Sequence, residues 1–319
     1  MLTEVLISGN QTDDPSNGVG GALSHGPNRT ATLTNVTITG NTAEEGGGGL
    51  WTTGAGSVAT LNNVTVTGNT ADSDGGTNGG GGIDNTSGTV NVMNSIVTGN
   101  TDASGGDAPD CSGAITSQGY NLIGTGAGCG FTGATGDKIG TGAAPINPQL
   151  GPLADNGGPT ATHALLTGSP AIDAGNPAPP GSGGGACAAA DQRGVPRNCD
   201  MGAYELAQCL GVAVNRVGVA GTATLTGTAG ADAILGLGGN DTITAGDGND
   251  LGLGRNGKDT EAGGAGNDRL KGHRGNDRLK GQAGKDRLNG GPGKKDRCAG
   301  GGGKKDKAAG SCEKTLGIP

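Results

Sequence analysis

The stretch Leu33-Thr34-Asn35-Val36-Thr37-Ile38-Thr39-Gly40-Asn41 decides the fold of the front of this chain, because it recurs. It aligns without gaps with Leu2 to Asn10, Leu61 to Asn69 and Val92 to Asn100, and the closing Gly-Asn pairs return after 31, 28 and 31 residues. Apolar residues hold the first, fourth and sixth places of each copy, with Ser95 the exception. Val36 and Ile38 alternate with Thr37 and Thr39, the period-two pattern of a strand with one buried face. Val, Ile and Thr also favour strands. Helical periodicity is absent, so the pattern predicts a right-handed parallel β-helix with one coil per repeat. Asn35, Asn63 and Asn94, with Glu4 in the first rung, are expected to stack as an internal amide ladder. Asn10, Asn41, Asn69 and Asn100 are expected to form a second ladder at a turn. Gly46 to Gly49 before Leu50, and Gly79 to Gly82 before Ile83, supply tight corners of positive φ ahead of a second short strand. The loop over residues 71–78 absorbs a length difference at the surface.

Composition agrees with a repeat architecture. The 319 residues include 73 glycines but one Trp, two Tyr and one Phe. Aromatic residues normally supply much of a core's buried area, so one large core is not expected. Disorder, or short segments packing only on their neighbours, remain, and the strict apolar spacing favours the second. No run of about 18 apolar residues is present, as a membrane-crossing helix requires. The seven cysteines fall into the close pairs Cys111/Cys129, Cys187/Cys199 and Cys298/Cys312, leaving Cys209 free. Short loops closed by such pairs suit an oxidising compartment. With no CxxC and three scattered His, the pattern does not point to structural zinc. The net charge of -8 hides a division: 21 acids and 5 bases up to Gly254, then 8 acids and 16 bases from Arg255 onward.

The rungs resemble the parallel β-helix repeat proteins of bacterial surfaces, which carry many copies of a TxNxTITGNTA…GGGI unit. Met1 falls inside a rung where that family would continue, and Met1 to Val5 lacks the basic and apolar segments of a signal peptide. The expectation is a chain without its natural beginning, with further rungs and a signal peptide upstream. The glycosylation sequons at Asn35 and Asn63 read as by-products of the rung pattern, and the one at Asn28 is given no role.

From about Tyr120 the pattern changes. Gly119-Tyr120-Asn121-Leu122-Ile123-Gly124 leads to Asn147-Pro148-Gln149-Leu150-Gly151-Pro152-Leu153-Ala154-Asp155-Asn156-Gly157-Gly158-Pro159-Thr160. Gly168-Ser169-Pro170-Ala171-Ile172-Asp173-Ala174-Gly175, Asp191-Gln192-Arg193-Gly194 and Cys199-Asp200-Met201-Gly202-Ala203-Tyr204-Glu205 follow. Over residues 119–205 this is similar to the choice-of-anchor Q domain, which in that family closes a β-helix and precedes a cell-surface anchor. Asp173, Asp191, Arg193, Asp200 and Glu205 admit two readings. They form an acid pair for cutting a polysaccharide, or they cap the last rung by binding backbone and one another. No aromatic-lined groove accompanies them, and fold analogy confers no activity, so capping is preferred. His163 is read as a packing or turn residue.

After Cys209 the period becomes nine. Asp232, Asp241, Asp250, Asp259, Asp268, Asp277 and Asp286 are separated by nine residues each time, and Asp296 and Asp306 follow at ten. The unit is GGxGxDxUx, as in Gly263-Gly264-Ala265-Gly266-Asn267-Asp268-Arg269-Leu270-Lys271. This resembles the hemolysin-type repeats-in-toxin array, which implies calcium. Calcium takes six to eight oxygens. Glycines at places one, two and four let the chain turn and aim carbonyls inward, and the sixth-place Asp adds a carboxylate. The candidate ligand set is the carboxylates of Asp232, Asp241, Asp250, Asp259, Asp268, Asp277 and Asp286, with backbone oxygens of Gly236, Gly238, Asn240, Gly248, Gly263, Gly266 and Gly275. Lys258 and Lys285 stand directly before an Asp, and Lys294-Lys295 and Lys304-Lys305 crowd the ten-residue units, where they compete with a cation. Ile234, Ile243, Leu270, Leu279 and Leu288 at place eight form a thin interior, weakened where Gly252 and Glu261 take that place, and Ala245 replaces a first-place glycine. So small a core couples folding to binding.

The sequence therefore reads as all-β: a right-handed parallel β-helix over residues 1–118, a closing module over 119–208 and a calcium-binding parallel β-roll over 209–319. The expected role is that of a non-enzymatic, adhesin-like protein outside the cell or at the bacterial surface. The alternative is a polysaccharide-active lyase or hydrolase on the β-helix. Calcium is the expected ligand. The basic excess suits an anionic cell-wall or surface polysaccharide, whereas nucleic acid is not expected, because aromatics for base stacking are missing.

Overall fold

The computed structural model describes residues 1–12, 20–72, 79–105, 108–166, 168–206, 208–209, 212–218, 221–293, 295–302, 306–308, 312 and 314–316. Among them there is no helix; every element is a strand, and the chain divides into two compact units. One comprises Met1–Asp155, Thr160–Gln192 and Pro196–Leu206, the other Asn156–Pro159, Arg193–Val195 and Ala207–Pro319.

The first unit is built on an eleven-stranded sheet whose pairings are parallel. Leu2 pairs with Leu33, Leu33 with Leu61 and Leu61 with Val92. Ile7, Ile38, Val66 and Val97 line up likewise. This is the register the repeat predicts, with equivalent residues stacked coil on coil. Leu33, Val36, Ile38, Leu61, Val64, Val66, Val92 and Val97 are buried in one cluster, against which Leu2, Val5 and Ile7 pack half-buried. The sheet runs on through Leu122–Ile123 and Lys138–Ile139.

One of the two expected ladders forms. Asn10, Asn41 and Asn69 each donate from Nδ2 to Oδ1 of the next asparagine in the series, at 2.8–2.9 Å, and Asn100 donates to Asp110 at 3.1 Å. Each such Oδ1 also accepts the backbone N–H of the residue before it in the series. The column thus satisfies the turn of every coil, buried from Asn41 onward.

The other ladder does not form. Asn35, Asn63 and Asn94 are left-handed, with φ of 50–54°, and that kink turns their side chains out of the stack. They hold the closing loop instead. Asn35 Nδ2 donates to the Ala190 carbonyl, Asn63 Oδ1 accepts the Ala188 N–H, and Asn94 Oδ1 accepts the Asn176 N–H. Ser95, the polar exception in the rung pattern, starts a different series. Its Oγ accepts the Val64 N–H, its N–H donates to Asn121 Oδ1, and the Asn121 N–H donates to Asp137.

The corner glycines also differ from expectation. Of Gly46 to Gly49 and Gly79 to Gly82, only Gly46 has positive φ. The others are glycine because neighbouring coils touch there: a Cβ on Gly49 would stand 2.6 Å from the Gly82 carbonyl oxygen.

The closing module packs along the flank of the rungs. Ile96 and Leu122 are buried with Leu165, Ala171, Met201 and Tyr204. Thr37 Oγ1 donates to Gln192, and Thr65 Oγ1 accepts the Ala203 N–H. Leu150–Ala154 and Thr162–Leu165 form an antiparallel pair. Cys111–Cys129, Cys187–Cys199 and Cys298–Cys312 are disulfides, as their spacing predicts. The side chain of Cys209 lies outside the described residues.

The second unit is a parallel roll of two six-stranded sheets. Residues 18 apart pair across neighbouring strands, so each coil takes two nonapeptides, one per sheet. Ile234, Gly252, Leu270 and Leu288 line the interior from one sheet, and Ile243, Glu261, Leu279 and Cys298 from the other. The roll begins a coil before the aspartate register, since Arg216–Val217 and Thr224–Thr226 already pair into the two sheets. Ala233, Leu235, Leu251 and Leu253 alternate with the inward residues, so they face outward. They are nonetheless buried, against Val195, Val214 and Val217.

Candidate metal centre

Successive aspartates of the nine-residue register do not meet; every second one does. One column runs Asp232, Asp250, Asp268, Asp286, Asp306 and the other Asp241, Asp259, Asp277, Asp296. Within each, an aspartate backbone N–H donates to Oδ1 of the aspartate one coil further on, at 2.8–3.0 Å. At the start of the roll, Asp241 Oδ1 takes the Ala223 N–H and Asp232 Oδ1 takes Asn215 Nδ2.

That pattern occupies one oxygen of each carboxylate. The other, Oδ2 of Asp241, Asp250, Asp259, Asp268, Asp277, Asp286, Asp296 and Asp306, is buried without a hydrogen-bond partner. Buried unsatisfied carboxylate oxygens are costly, and here they repeat in register. Except at Asp250, whose first place is Ala245, each lies against the first-place glycine of its own unit: a Cβ on Gly236 would stand 2.5 Å from Asp241 Oδ2 and one on Gly263 would collide with Asp268 Oδ2. This explains the glycine at place one. Ala245 stands there for Asp250, wholly buried.

From Asp241 to Asp286 the turn preceding each Asp is left-handed at places two and four. Place four is glycine throughout, with φ of 125° at Gly248, 137° at Gly266 and 142° at Gly275. In the ten-residue units the extra residue lies inside this turn, since Gly290 stands against Asp296 and Gly300 against Asp306. Among the expected backbone ligands, Asn240 is exposed and its Oδ1 accepts the Lys258 N–H, while Gly238 bridges to Asn256. Lys295 is exposed beside its unit; Lys294, Lys304 and Lys305 lie outside the described residues.

Burial pushes Asp241, Asp268 and Asp277 up to about 6, helped by the carboxylates one coil away. Asp250, Asp259 and Asp286 are raised for the same first cause. Asp232 differs: burial works against its charge, but bonds from Thr228 and Asn215 and the nearby Arg216 outweigh it and lower its pKa. Among the described residues no group of three or more His, Cys, Asp or Glu gathers at one point. A cation here must therefore draw on backbone oxygens as well as the orphaned Oδ2 atoms. Such an all-oxygen, partly backbone donor set fits a hard divalent ion of flexible coordination such as calcium.

Residues 217–261 and 262–294 match the family model of the RTX calcium-binding nonapeptide repeat. The chain therefore carries calcium-binding RTX repeats, in the segment where the structure places the roll. No curated protein and no solved structure matches the chain.

Proposed function

We propose that this is a non-enzymatic structural or adhesin-like protein, outside the cell or at the bacterial surface, whose roll is ordered by calcium. The observation that carries this reading is the double row of buried Oδ2 atoms without partners. The ligands are the carboxylates of Asp232, Asp241, Asp250, Asp259, Asp268, Asp277 and Asp286. Backbone oxygens of the glycine turns, at Gly236, Gly238, Asn240, Gly248, Gly263, Gly266 and Gly275, complete the set. Bound calcium would supply positive charge between stacked carboxylates that otherwise repel. The protein's own contribution is the turn geometry that keeps the Oδ2 atoms from Asp241 onward dry and without a donor, whereas Asp232 Oδ2 accepts from Thr228.

The β-helix and its closing module, read as a choice-of-anchor Q domain, form the scaffold. The acids of that module support a structural role. Glu205 takes the Asn198 and Asp200 N–H groups and lies 3.5 Å from Arg197; Asp200 takes the Asp173 N–H, and Asp191 takes the Glu205 N–H. Asp191, Asp200 and Glu205 are buried and backbone donors occupy them, which supports capping over catalysis for these three acids. The basic exterior of the roll suits an anionic surface polysaccharide. Titrating the full chain with calcium, followed by calorimetry and far-ultraviolet circular dichroism, tests the reading. Saturable heat with a gain of β signal is expected, and a spectrum identical in chelator and in calcium would overturn it.

A further inference from the structure

From Arg255 onward the charges of the roll are sorted by sign. Every described acid from Arg255 onward, including Asp259, Glu261, Asp268 and Asp277, is at most 4% exposed. Lys258, Arg269, Arg278, Arg287, Lys295 and Arg297 are exposed. The surface therefore shows cations undiluted by carboxylates, and calcium in the turns would leave still less negative charge beneath them.

On one sheet this surface is concave. A cleft of about 320 Å³ is lined by Lys258, Arg278, Lys295 and Arg297, with Thr260 and Asn276 contributing a hydroxyl and an amide. Thr260, Arg278 and Arg297 stand in register on adjacent strands, a spacing of about 4.8 Å. Asp277 is the one acid at the wall, and its Oδ1 is taken by the Asp259 N–H. The fifth-place side chains separate the two sheets. On the other sheet they form a ladder, with the Asn267 N–H on Asn249 Oδ1 and the Lys285 N–H on Asn267 Oδ1. On the cleft side the Lys258 N–H reaches Asn240 Oδ1, but Lys258 has no acceptor to offer, so the ladder stops there.

We propose that the cleft between Lys258, Arg278, Lys295 and Arg297 is a binding site for the repeated anionic groups of a linear acidic glycan. The guanidinium forks of Arg278 and Arg297 suit carboxylate, sulfate or phosphate oxygens. Thr260 and Asn276 suit sugar hydroxyls. Nucleic acid is disfavoured because the last aromatic residue of the chain is Tyr204, so the roll has no platform for bases. The proposal rests on the reading of the roll as calcium-ordered, since the cleft exists only when three coils stack.

The test uses the full chain in calcium, with polygalacturonate as a carboxylate probe, dextran sulfate as a sulfate probe, and single-stranded DNA as a competitor. Lys258→Ser/Arg278→Ser/Arg297→Ser removes three cleft cations, and Arg269→Ser/Arg287→Ser/Lys307→Ser removes three from the opposite sheet. Salt-sensitive binding of one polymer, weakened at least tenfold by the first triple and less than twofold by the second, is expected; the polymer bound distinguishes carboxylate from sulfate. Equal losses would mean net charge alone and overturn the site. Absence of polymer binding in a chain that still gains β signal with calcium overturns the site and leaves the calcium reading intact, whereas absence of the calcium response removes both. Tighter binding of DNA through the same residues overturns the glycan assignment. If the first triple does not respond to calcium, Lys258→Gln and Arg278→Gln are read singly, and unchanged binding in both overturns the proposal.

Discussion

Glu261 reaches across the interior of the roll toward Gly252: a Cβ added to that glycine would stand 2.8 Å from Glu261 Oε2 and 3.0 Å from Leu270. The two residues that break the apolar place-eight column are thus complementary, one a wholly buried carboxylate and the other the gap that admits it. Glu261 Oε1 accepts the Gly254 N–H, while Oε2 has no partner. Burial, then the carboxylate of Asp259, push its pKa up to about 8.

Glu261→Leu is therefore expected to stabilise the roll in calcium at neutral pH, by roughly 1–3 kcal/mol, as an unsatisfied buried oxygen is replaced by apolar contact with Ile243 and Leu279. The pH dependence has a definite sign. A folded value near 8 against an ordinary 4.5 means that the folded state holds a proton the unfolded chain releases. This contribution is full below about 4.5 and is lost as pH rises through 8. Glu261→Gln should flatten that slope in denaturant titrations at pH 5 and 8.5; an unchanged slope would show that Glu261 does not carry it. Gly252→Ala should destabilise the natural chain and be better tolerated with Glu261→Ala, a coupling that a double-mutant cycle measures.

The strand register, the turn asparagines and the nine-residue spacing of the aspartates were legible in the sequence because each rests on strict periodicity, whereas the division of the aspartates into two columns follows only from each coil taking two units. What was not legible depends on φ or on a partner far along the chain. Asn35 and Asn41 look equally fit for stacking, yet a left-handed backbone at Asn35 sends its side chain to Ala190, 155 residues away. Leu251 and Leu253 were obscured in the same way. Gly252 between them reads as a defect in the interior, whereas the two leucines serve an outer face covered by Val195 and Val214. The first coil carries no aspartate signature in the sequence, because Ala223 occupies that place.

The asparagine column gives a second prediction. Asn69 Nδ2 donates to Asn100 Oδ1 and to the Ile38 carbonyl, and its Oδ1 accepts both the N–H and the Nδ2 of Asn41, all buried. Asn69→Ala leaves these groups unsatisfied and should cost roughly 2–5 kcal/mol. Thermal unfolding of the natural chain and the variant checks it; a loss below 1 kcal/mol would mean that water replaces the ladder.

Protons and calcium should compete for the roll. Asp241, Asp268 and Asp277 are held near 6 against an ordinary 3.8, so without metal their protonated forms favour folding. That stabilisation is present at low pH and is lost as pH rises from about 4 through 6. In chelator the chain should keep more β signal at pH 5 than at pH 7.5. In calcium the apparent midpoint should move to higher concentration as pH falls below 6, because the metal must displace protons. Equal midpoints at pH 5 and 7.5 would contradict both statements.

The turn glycines separate two demands that the repeat formula presents alike. Place two is left-handed with φ of 73–79° where it bears a side chain, as at Leu237, Arg255, His273 and Gln282, and opens to 108–110° at Gly246 and Gly264. An L-residue can hold the first conformation at a cost of roughly 1–2 kcal/mol. Place four sits at 125–142° in Gly248, Gly257, Gly266, Gly275 and Gly284, a region essentially confined to glycine. There a Cβ would also strike the previous coil: on Gly275 it meets the Gly257 carbonyl, and on Gly266 the Gly248 carbonyl. Strain and collision coincide at place four, and the strand above cannot retreat without breaking the Asp259 to Asp277 bond beside it. Gly275→Ala should therefore abolish the calcium-induced gain of β signal, or raise the calcium needed for it at least tenfold. His273→Gly, two residues earlier in the same turn, should leave the midpoint within about twofold, since relief of its left-handed strain is offset by the added freedom of the unfolded chain. The comparison is read from calcium titrations of the two variants side by side, and a Gly275→Ala chain that folds at the natural midpoint would show that the turn is not built as described.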